Sequence, residues 1–256
     1  MTRVIKIGGR PQSAASLPDV VARATIGDER LVIVHGGGDE VSTLQNALGG
    51  STKFVNGRRV TLAKDIEIVR MALSGSANKR LVSALVQRGV SAVGLSGEDA
   101  SLITAAPMDA EQLGFVGAPS SVNVDFLQLL LSGGYLPVIS PVSRNAAATT
   151  NSESLALNVN GDDAAAAIAT ALGATELLLV ADVEGVMSDG AVVPRLTPAD
   201  AQRLIDNGTA AGGMQAKLQA ALAALTGGVQ RVRISDLSAI DDLSRGTLLR
   251  RIGELS

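Results

Sequence analysis

The sequence predicts an α/β protein, a three-layer αβα sandwich around a mainly parallel central sheet. Three observations carry that prediction. Short β-rich runs alternate with longer alanine- and leucine-rich segments along the chain. The β-rich runs are continuously apolar, as strands covered by helices on both faces are. Glycine clusters follow several of them, where strand must turn into helix.

Taken in order, strands are expected near residues 2–8, 31–36, 91–96, 136–141, 177–183 and 231–236, from runs such as Val4-Ile5-Lys6-Ile7. Helices are expected between them, near 15–26, 39–48, 63–74, 77–89, 122–133, 161–172, 197–206 and 213–226. Two stretches break the alternation. Lys53 to Thr61 reads as a hairpin turning at Asn56-Gly57, and residues 101–117 read as further short strands around Pro107 and Gly114. Both are expected as flaps over one edge of the sheet. That edge holds the carboxyl ends of the strands, where such folds bind ligands, and Gly8-Gly9, Gly36-Gly37-Gly38, Gly94 and Asp182 are placed there. The apolar stretch Ala164–Ala181 is interrupted by Thr170, Gly173, Thr175 and Glu176, so it reads as a helix and a strand rather than a membrane span. A boundary at Gly173-Ala174 would divide the chain into residues 1–173 and 174–256.

Composition narrows the chemistry. The 256 residues are 46% hydrophobic and 18% charged with a net charge of −3, which describes a soluble globular chain. A pI near 5.3 and 2% aromatic residues argue against a nucleic-acid groove, and Arg231 and Arg233 read as the ends of a strand. The absence of cysteine excludes disulfides, thiolate catalysis and cysteine-ligated zinc. One histidine makes a histidine-based metal site implausible. The N-terminus enters a strand without the apolar stretch of a secretory signal, so a cytoplasmic location is expected.

Only five lysines stand against seventeen arginines, and two of the five lie beside glycines: Lys6-Ile7-Gly8-Gly9 and Gly212-Gly213-Met214-Gln215-Ala216-Lys217. An ammonium group stabilises a moving phosphoryl without imposing a planar fork, and glycine lets backbone N–H groups approach a phosphate. Each segment is equally compatible with an ordinary turn. Together they suggest a phosphate site built from both ends of the chain. His35-Gly36-Gly37-Gly38 opens a helix and could hold an anion or form a simple tight turn, with His35 structural rather than a base. Either Asp162 or Asp163 could cap the helix that follows Asn160-Gly161, leaving the other as a carboxylate between two lysines. Asp182 closes a strand and could form an Asx turn. Neither G-x-G-x-x-G nor a Walker-type phosphate loop is present.

In register along nearly the whole chain, these segments resemble the amino acid kinase family, and within it the branch that phosphorylates N-acetyl-L-glutamate. The resemblance is carried by Lys6-Ile7-Gly8-Gly9, His35-Gly36-Gly37-Gly38, Asn56-Gly57-Arg58-Arg59-Val60-Thr61, Ala77-Asn78-Lys79, Gly134-Tyr135-Leu136-Pro137, Asn158-Val159-Asn160-Gly161-Asp162, Asp182-Val183-Glu184-Gly185 and Gly212-Gly213-Met214 with Lys217. It implies the amino acid kinase fold, an acetylglutamate-binding and dimerisation domain over 1–173, and an ATP-binding domain over 174–256. Lys6 and Lys217 would stabilise the transferring phosphoryl, with Asp162 organising both lysines. Arg59 would hold the acceptor's α-carboxylate, Asn158 the acetylated amino acid, and Gly37 and Gly38 would offer N–H groups to the acceptor. Gly8 and Gly9 would meet the nucleotide phosphates, while Asp182, Val183, Gly212, Gly213 and Met214 would line the ATP site.

The nucleophile so implied is the acceptor's γ-carboxylate, already ionised at neutral pH, so no general base is needed. Mg²⁺ would arrive on ATP, with no dedicated metal ligands in the protein. Arg10, Asp163 and Gln215-Ala216 depart from the family pattern; Arg10 is expected to face solvent. A sister kinase for another N-blocked acidic amino acid, such as N-succinyl-glutamate or carrier-linked aminoadipate, would use the same frame, and so would a non-catalytic amino-acid or nucleotide sensor. Family members inhibited by arginine carry an extra N-terminal helix, and the strand beginning at about residue 3 leads us to expect an arginine-insensitive homodimer.

Overall fold

The computed structural model describes residues 1–27, 29–55, 57–152, 154–188 and 190–250. Asn56, expected at the hairpin turn, lies outside the described residues, as does the 251–256 tail of the second expected domain. In chain order, β1 (Thr2–Ile7), α1 (Leu17–Ala24), β2 (Arg30–His35) and α2 (Gly38–Ala47) form the first alternating units. The expected hairpin follows as β3 (Phe54–Val55) and β4 (Arg58–Arg59). Next come α3 (Ala63–Val69) and α4 (Asn78–Val86), then β5 (Ala92–Gly97), β6 (Ile103–Pro107), α5 (Ala110–Leu113), β7 (Val116–Val122) and α6 (Val124–Ser132). The long β8 (Leu136–Asn145) leads to β9 (Ala156–Val159), α7 (Gly161–Ala171) and β10 (Glu176–Val180). The last part holds β11 (Met187–Ser188), β12 (Ala191–Val192), β13 (Arg195–Leu196), α8 (Pro198–Asp206), α9 (Gly212–Thr226), β14 (Arg231–Ser235) and β15 (Thr247–Leu249).

Among the described residues, eleven strands share one sheet in the order β13-β15-β14-β10-β1-β2-β8-β6-β7-β9, with β5 also pairing β8. Its centre is parallel throughout, β14 to β10 to β1 to β2 to β8. Because successive side chains point to opposite faces, each central strand feeds two cores. Val4, Val32, Val34, Leu177, Leu179, Val232 and Ile234 pack with α7 and α9. Ile5, Ile7, Leu31, Ile33, Leu178 and Val180 pack with α1 and α4. This is the three-layer sandwich. Strands on either side of Gly173-Ala174 pair directly, since β10 runs beside β1.

Three local expectations are corrected. β6 and β7 exist but are not a flap: β6 joins β8 and β7 joins β9 within the main sheet. The break expected near Gly75-Ser76 does not occur, because α3 runs through a π-helical segment, Arg70–Ala77, directly into α4. Gly94 is not at the ligand edge. It lies within β5, and a Cβ there would come within 2.1 Å of Asn78 Oδ1, so its lack of a side chain admits the Asn78 amide.

Candidate active site

The parallel strands β1, β2 and β10 end together at one edge of the sheet, and the chain turns there through glycines. Lys6 points to the α7 side of β1, the same side as Val4. Asn160 caps α7, its side chain accepting from the N–H groups of Asp162 and Asp163. Neither aspartate is the cap, contrary to the sequence expectation. Asn160 precedes the first helical residue and reaches both free donors, leaving the two carboxylates for other partners.

Asp162 takes up that freedom. Lys6 Nζ lies 2.9 Å from one carboxylate oxygen, and Lys217 Nζ, from the second turn of α9, lies 3.2 Å from each. All three side chains are largely withdrawn from solvent. Burial disfavours the ionised carboxylate, yet the two ammonium groups outweigh it and hold the Asp162 pKa below the ordinary value. Burial, with the neighbouring Lys6 charge, lowers the pKa of Lys217, and Asp162 opposes that shift. Two cations around one anion leave an excess of positive charge in a water-poor site, which an incoming anion would neutralise. Glycines make the slot: a Cβ on Gly8 would lie 2.4 Å from Lys6 Nζ, and one on Gly161 3.1 Å from Lys6 Cε. Gly8 therefore accommodates the lysine itself.

Beside this centre lies a cavity of ≈ 180 Å³ lined by Lys6, Gly37, Gly38, Arg59 and Asn158, with Val69, Leu73 and Val116 among its apolar walls. Asn158 donates to Thr61 Oγ1 at 2.9 Å. Arg59 is held by Gly38 O at 2.7 Å, by Ser42 Oγ at 2.8 Å, and by Gln45 Oε1 and Thr52 Oγ1 at 3.2 Å each. Its guanidinium also stacks 5.0 Å from the centroid of the Phe54 ring. The β3–β4 hairpin thus covers the cavity as expected, and a Cβ on Gly57 at its tip would lie 4.0 Å from the carbonyl of Gly212 at the start of α9.

The remaining candidates lie outside this cavity. Gly9 adopts φ 64°, and a Cβ there would be 3.1 Å from Asp182 Oδ1, so the turn after β1 and the turn after β10 touch. Val183 is exposed beside Asp182. Arg10 faces solvent as expected, 3.9 Å from Asp182. Gly212, Gly213 and Met214 form the first turn of the fifteen-residue α9, which no side chain caps. Free N–H groups and the helix dipole there favour an anion.

Several residues here escaped sequence reasoning. Arg58, next to Arg59, lines the cavity and bonds Asp163 Oδ2 at 2.7 Å, so the position that departs from the family pattern pins the hairpin to α7. Phe54 stacks on Arg59, and Asn160 both caps α7 and lines the cavity. The alternation Asn158, Asn160 could have placed both on one face of a strand end.

An open parallel sheet with a buried lysine–aspartate–lysine centre beside a polar cavity defines an α/β protein equipped to hold anions. The chain belongs to the amino acid kinase family, whose sequence model matches residues 1–236. It is 41% identical to the acetylglutamate kinase of Shouchella clausii (strain KSM-K16), covering 97% of this chain and 95% of that one. To the acetylglutamate kinase of Ruegeria sp. (strain TM1040) it is 42% identical over 96% and 88% of the two chains. Among solved structures, the smu.665 protein of Streptococcus mutans UA159 superposes with a TM-score of 0.86 at 30% identity, covering 97% of this chain and 98% of that one. No helix among the described residues is long and apolar enough to cross a membrane.

Proposed function

We propose that the protein acts as an acetylglutamate kinase in arginine biosynthesis, transferring the γ-phosphoryl of ATP to the γ-carboxylate of N-acetyl-L-glutamate to give N-acetyl-L-glutamyl 5-phosphate and ADP. The observation that carries this reading is Asp162 bridging Lys6 and Lys217 beside the cavity that Lys6 lines. The acceptor's γ-carboxylate oxygen forms the new bond to phosphorus while the bond to the ADP oxygen breaks. The carboxylate is ionised near neutrality, with a free pKa of about 4.3, so no proton has to be removed. The protein's task is alignment and neutralisation of charge on the transferring group.

In that reading the two ammonium groups contact the phosphoryl oxygens, and Asp162 keeps them from repelling each other out of position. Arg59 meets the acceptor α-carboxylate, which would replace neutral partners such as the Ser42 and Thr52 hydroxyls. Asn158, Gly37 and Gly38 hold the rest of the acceptor. Gly9, Asp182, Val183 and Gly212 to Met214 take the nucleotide on the far side of the lysine pair. Mg²⁺ belongs to the MgATP substrate, coordinated by phosphates and water, since Asp162 already serves both lysines. A homodimeric, cytoplasmic enzyme is part of the same reading, as is the division of labour between residues 1–173 and 174–256. ADP release with MgATP and N-acetyl-L-glutamate, run beside N-succinyl-glutamate, free glutamate and no acceptor, tests it. Turnover specific to N-acetyl-L-glutamate is the expected result. Preference for another acceptor would reassign the substrate, and silence with every acceptor would overturn the kinase reading.

A further inference from the structure

The single histidine of the chain sits at the end of β2, fully buried, immediately before the glycines that line the acceptor cavity. Its surroundings fix where its proton lies. Asn78 Nδ2 is 3.1 Å from His35 Nε2, 2.9 Å from the Val138 carbonyl and 3.3 Å from the Leu95 carbonyl. The two carbonyls can only accept, so the Asn78 group facing them is the NH₂, and His35 Nε2 must be an acceptor. The proton is therefore on Nδ1, 2.8 Å from the Gly36 carbonyl, to which it donates, and the Gln12 amide 3.4 Å away turns its otherwise unpartnered oxygen toward the same N–H. Burial holds the imidazole pKa down to about 4, with the Lys79 and Arg80 charges acting in the same direction and the Gly36 bond and Glu40 opposing, so the ring is neutral at physiological pH.

This arrangement acts on the cavity through one peptide. The Gly36 N–H is bound to the Ile7 carbonyl at 2.7 Å and the Gly36 C=O to His35. In a trans peptide the N–H points opposite to the C=O, so drawing the Gly36 carbonyl toward the imidazole turns the Gly37 N–H away from it. That N–H has no partner among the described residues, and Gly37 lines the cavity. Asn78 and Gly94 keep the imidazole in place from behind; neither lines the cavity.

We propose that His35 is a positioning residue, a permanently neutral Nδ1–H imidazole that, clamped by Asn78, aims the Gly37 N–H at the acceptor. The role rests on the acceptor reading of the cavity, whereas the tautomer does not. The ring nitrogens of the one histidine give unambiguous signals in a long-range ¹H–¹⁵N spectrum of the intact protein. A protonated Nδ1 and a pyridine-type Nε2, unchanged from about pH 5.5 to about pH 8, are expected. An Nε2–H form, or a titration within that range, overturns the proposal without any appeal to turnover. The kinetic arm compares His35→Leu with His35→Asn, whose amide can donate from near the Nδ1 position. His35→Leu should lower kcat/KM for the acceptor by about 100-fold, the scale of a small misplacement at a reacting centre, and leave the KM for ATP within about twofold. His35→Asn should recover at least about tenfold of that loss. Equal impairment of the two variants, or parallel changes in both KM values, would reduce His35 to a packing residue. A parent protein without turnover would count against the kinase reading alone, and the spectrum would still decide the tautomer.

Discussion

Two buried carboxylates organise opposite ends of this sheet, and β1 supplies a cation to each. Asp162 is bridged by Lys6 and Lys217 at the carboxyl ends of the strands; Glu176 is bridged by Arg3, Arg231 and Arg233 at the amino ends. Lys6 faces the α7 and α9 side, and Arg3 the α1 side with Ala239 and Ile240. The difference lies in what else the cations bond. Arg3 Nε meets Glu176 at 2.9 Å while its other nitrogens reach Glu29 and the carbonyls of Ile240 and Ala239. Arg233 likewise divides itself between Glu176 and the Arg245 carbonyl. Each ammonium at Asp162 has three donors and, among the described residues, the one acceptor side chain Asp162. Arg3 and Arg233 bond further protein acceptors beyond Glu176, so the guanidinium cluster locks strands together. The lysine centre keeps capacity for a ligand.

The largest expected effect tests the locking role. Glu176→Ala leaves buried arginines uncompensated and should cost about 3–5 kcal/mol of stability in urea unfolding, with kcat per folded molecule near the parent value. A loss below about 1 kcal/mol would place Glu176 with ordinary surface pairs and dissolve the contrast. Next comes Lys217→Ala. It should lower kcat by about 10²–10³-fold, the scale of a single transition-state donor, while the unfolding midpoint changes little because Lys6 still pairs with Asp162. Near-normal turnover would remove Lys217 from the chemistry.

A pH profile sharpens the same point. Burial and the nearby Lys6 charge lower the Lys217 pKa, so the ammonium loses its proton at a lower pH than the ordinary lysine value of 10.5. kcat should therefore fall on the alkaline side before that pH, and no acidic limb is expected near neutrality, because Asp162 and the acceptor are both ionised there. An acidic limb near neutrality would require a general base that this mechanism lacks.

How much of this could be read from the chain follows from the range of the interactions. The central strands, Lys6, Gly8, Gly36 to Gly38 and the turn at Asn158 to Asp162 are local patterns of strand, glycine and cap. They were legible, and the family resemblance joined Lys217 to them across 55 residues from Asp162. The Arg58–Asp163 latch, separated by 105 residues, had no such signal, and Arg231 and Arg233 read as strand ends because their partner Glu176 is set only by the pairing of β10 with β14. β6 and β7 were placed as a flap since nothing local distinguishes a strand over a sheet from one within it. Gly94 was misplaced for a related reason. Its missing side chain serves Asn78, which arrives from α4.

Arg59→Lys carries the smallest expected effect and asks which kind of cation Arg59 is. It resembles the Glu176 arginines in being held from several sides, by Gly38, Ser42, Gln45, Thr52 and the face of Phe54. It resembles the lysines in lining the cavity, and its side-chain partners there are neutral, so a carboxylate can displace a hydroxyl with a gain in electrostatic energy. Lysine keeps the charge but loses the planar fork and most of the stacking on Phe54. The acceptor KM should therefore rise by about tenfold, with kcat within about threefold and the KM for ATP unchanged, the signature of lost ground-state binding. A change confined to ATP would move Arg59 to the nucleotide side. A loss of folding stability with an unchanged acceptor KM would make it a structural arginine like those around Glu176, and the division between strand-locking and ligand-holding cations would then run through the cavity wall itself.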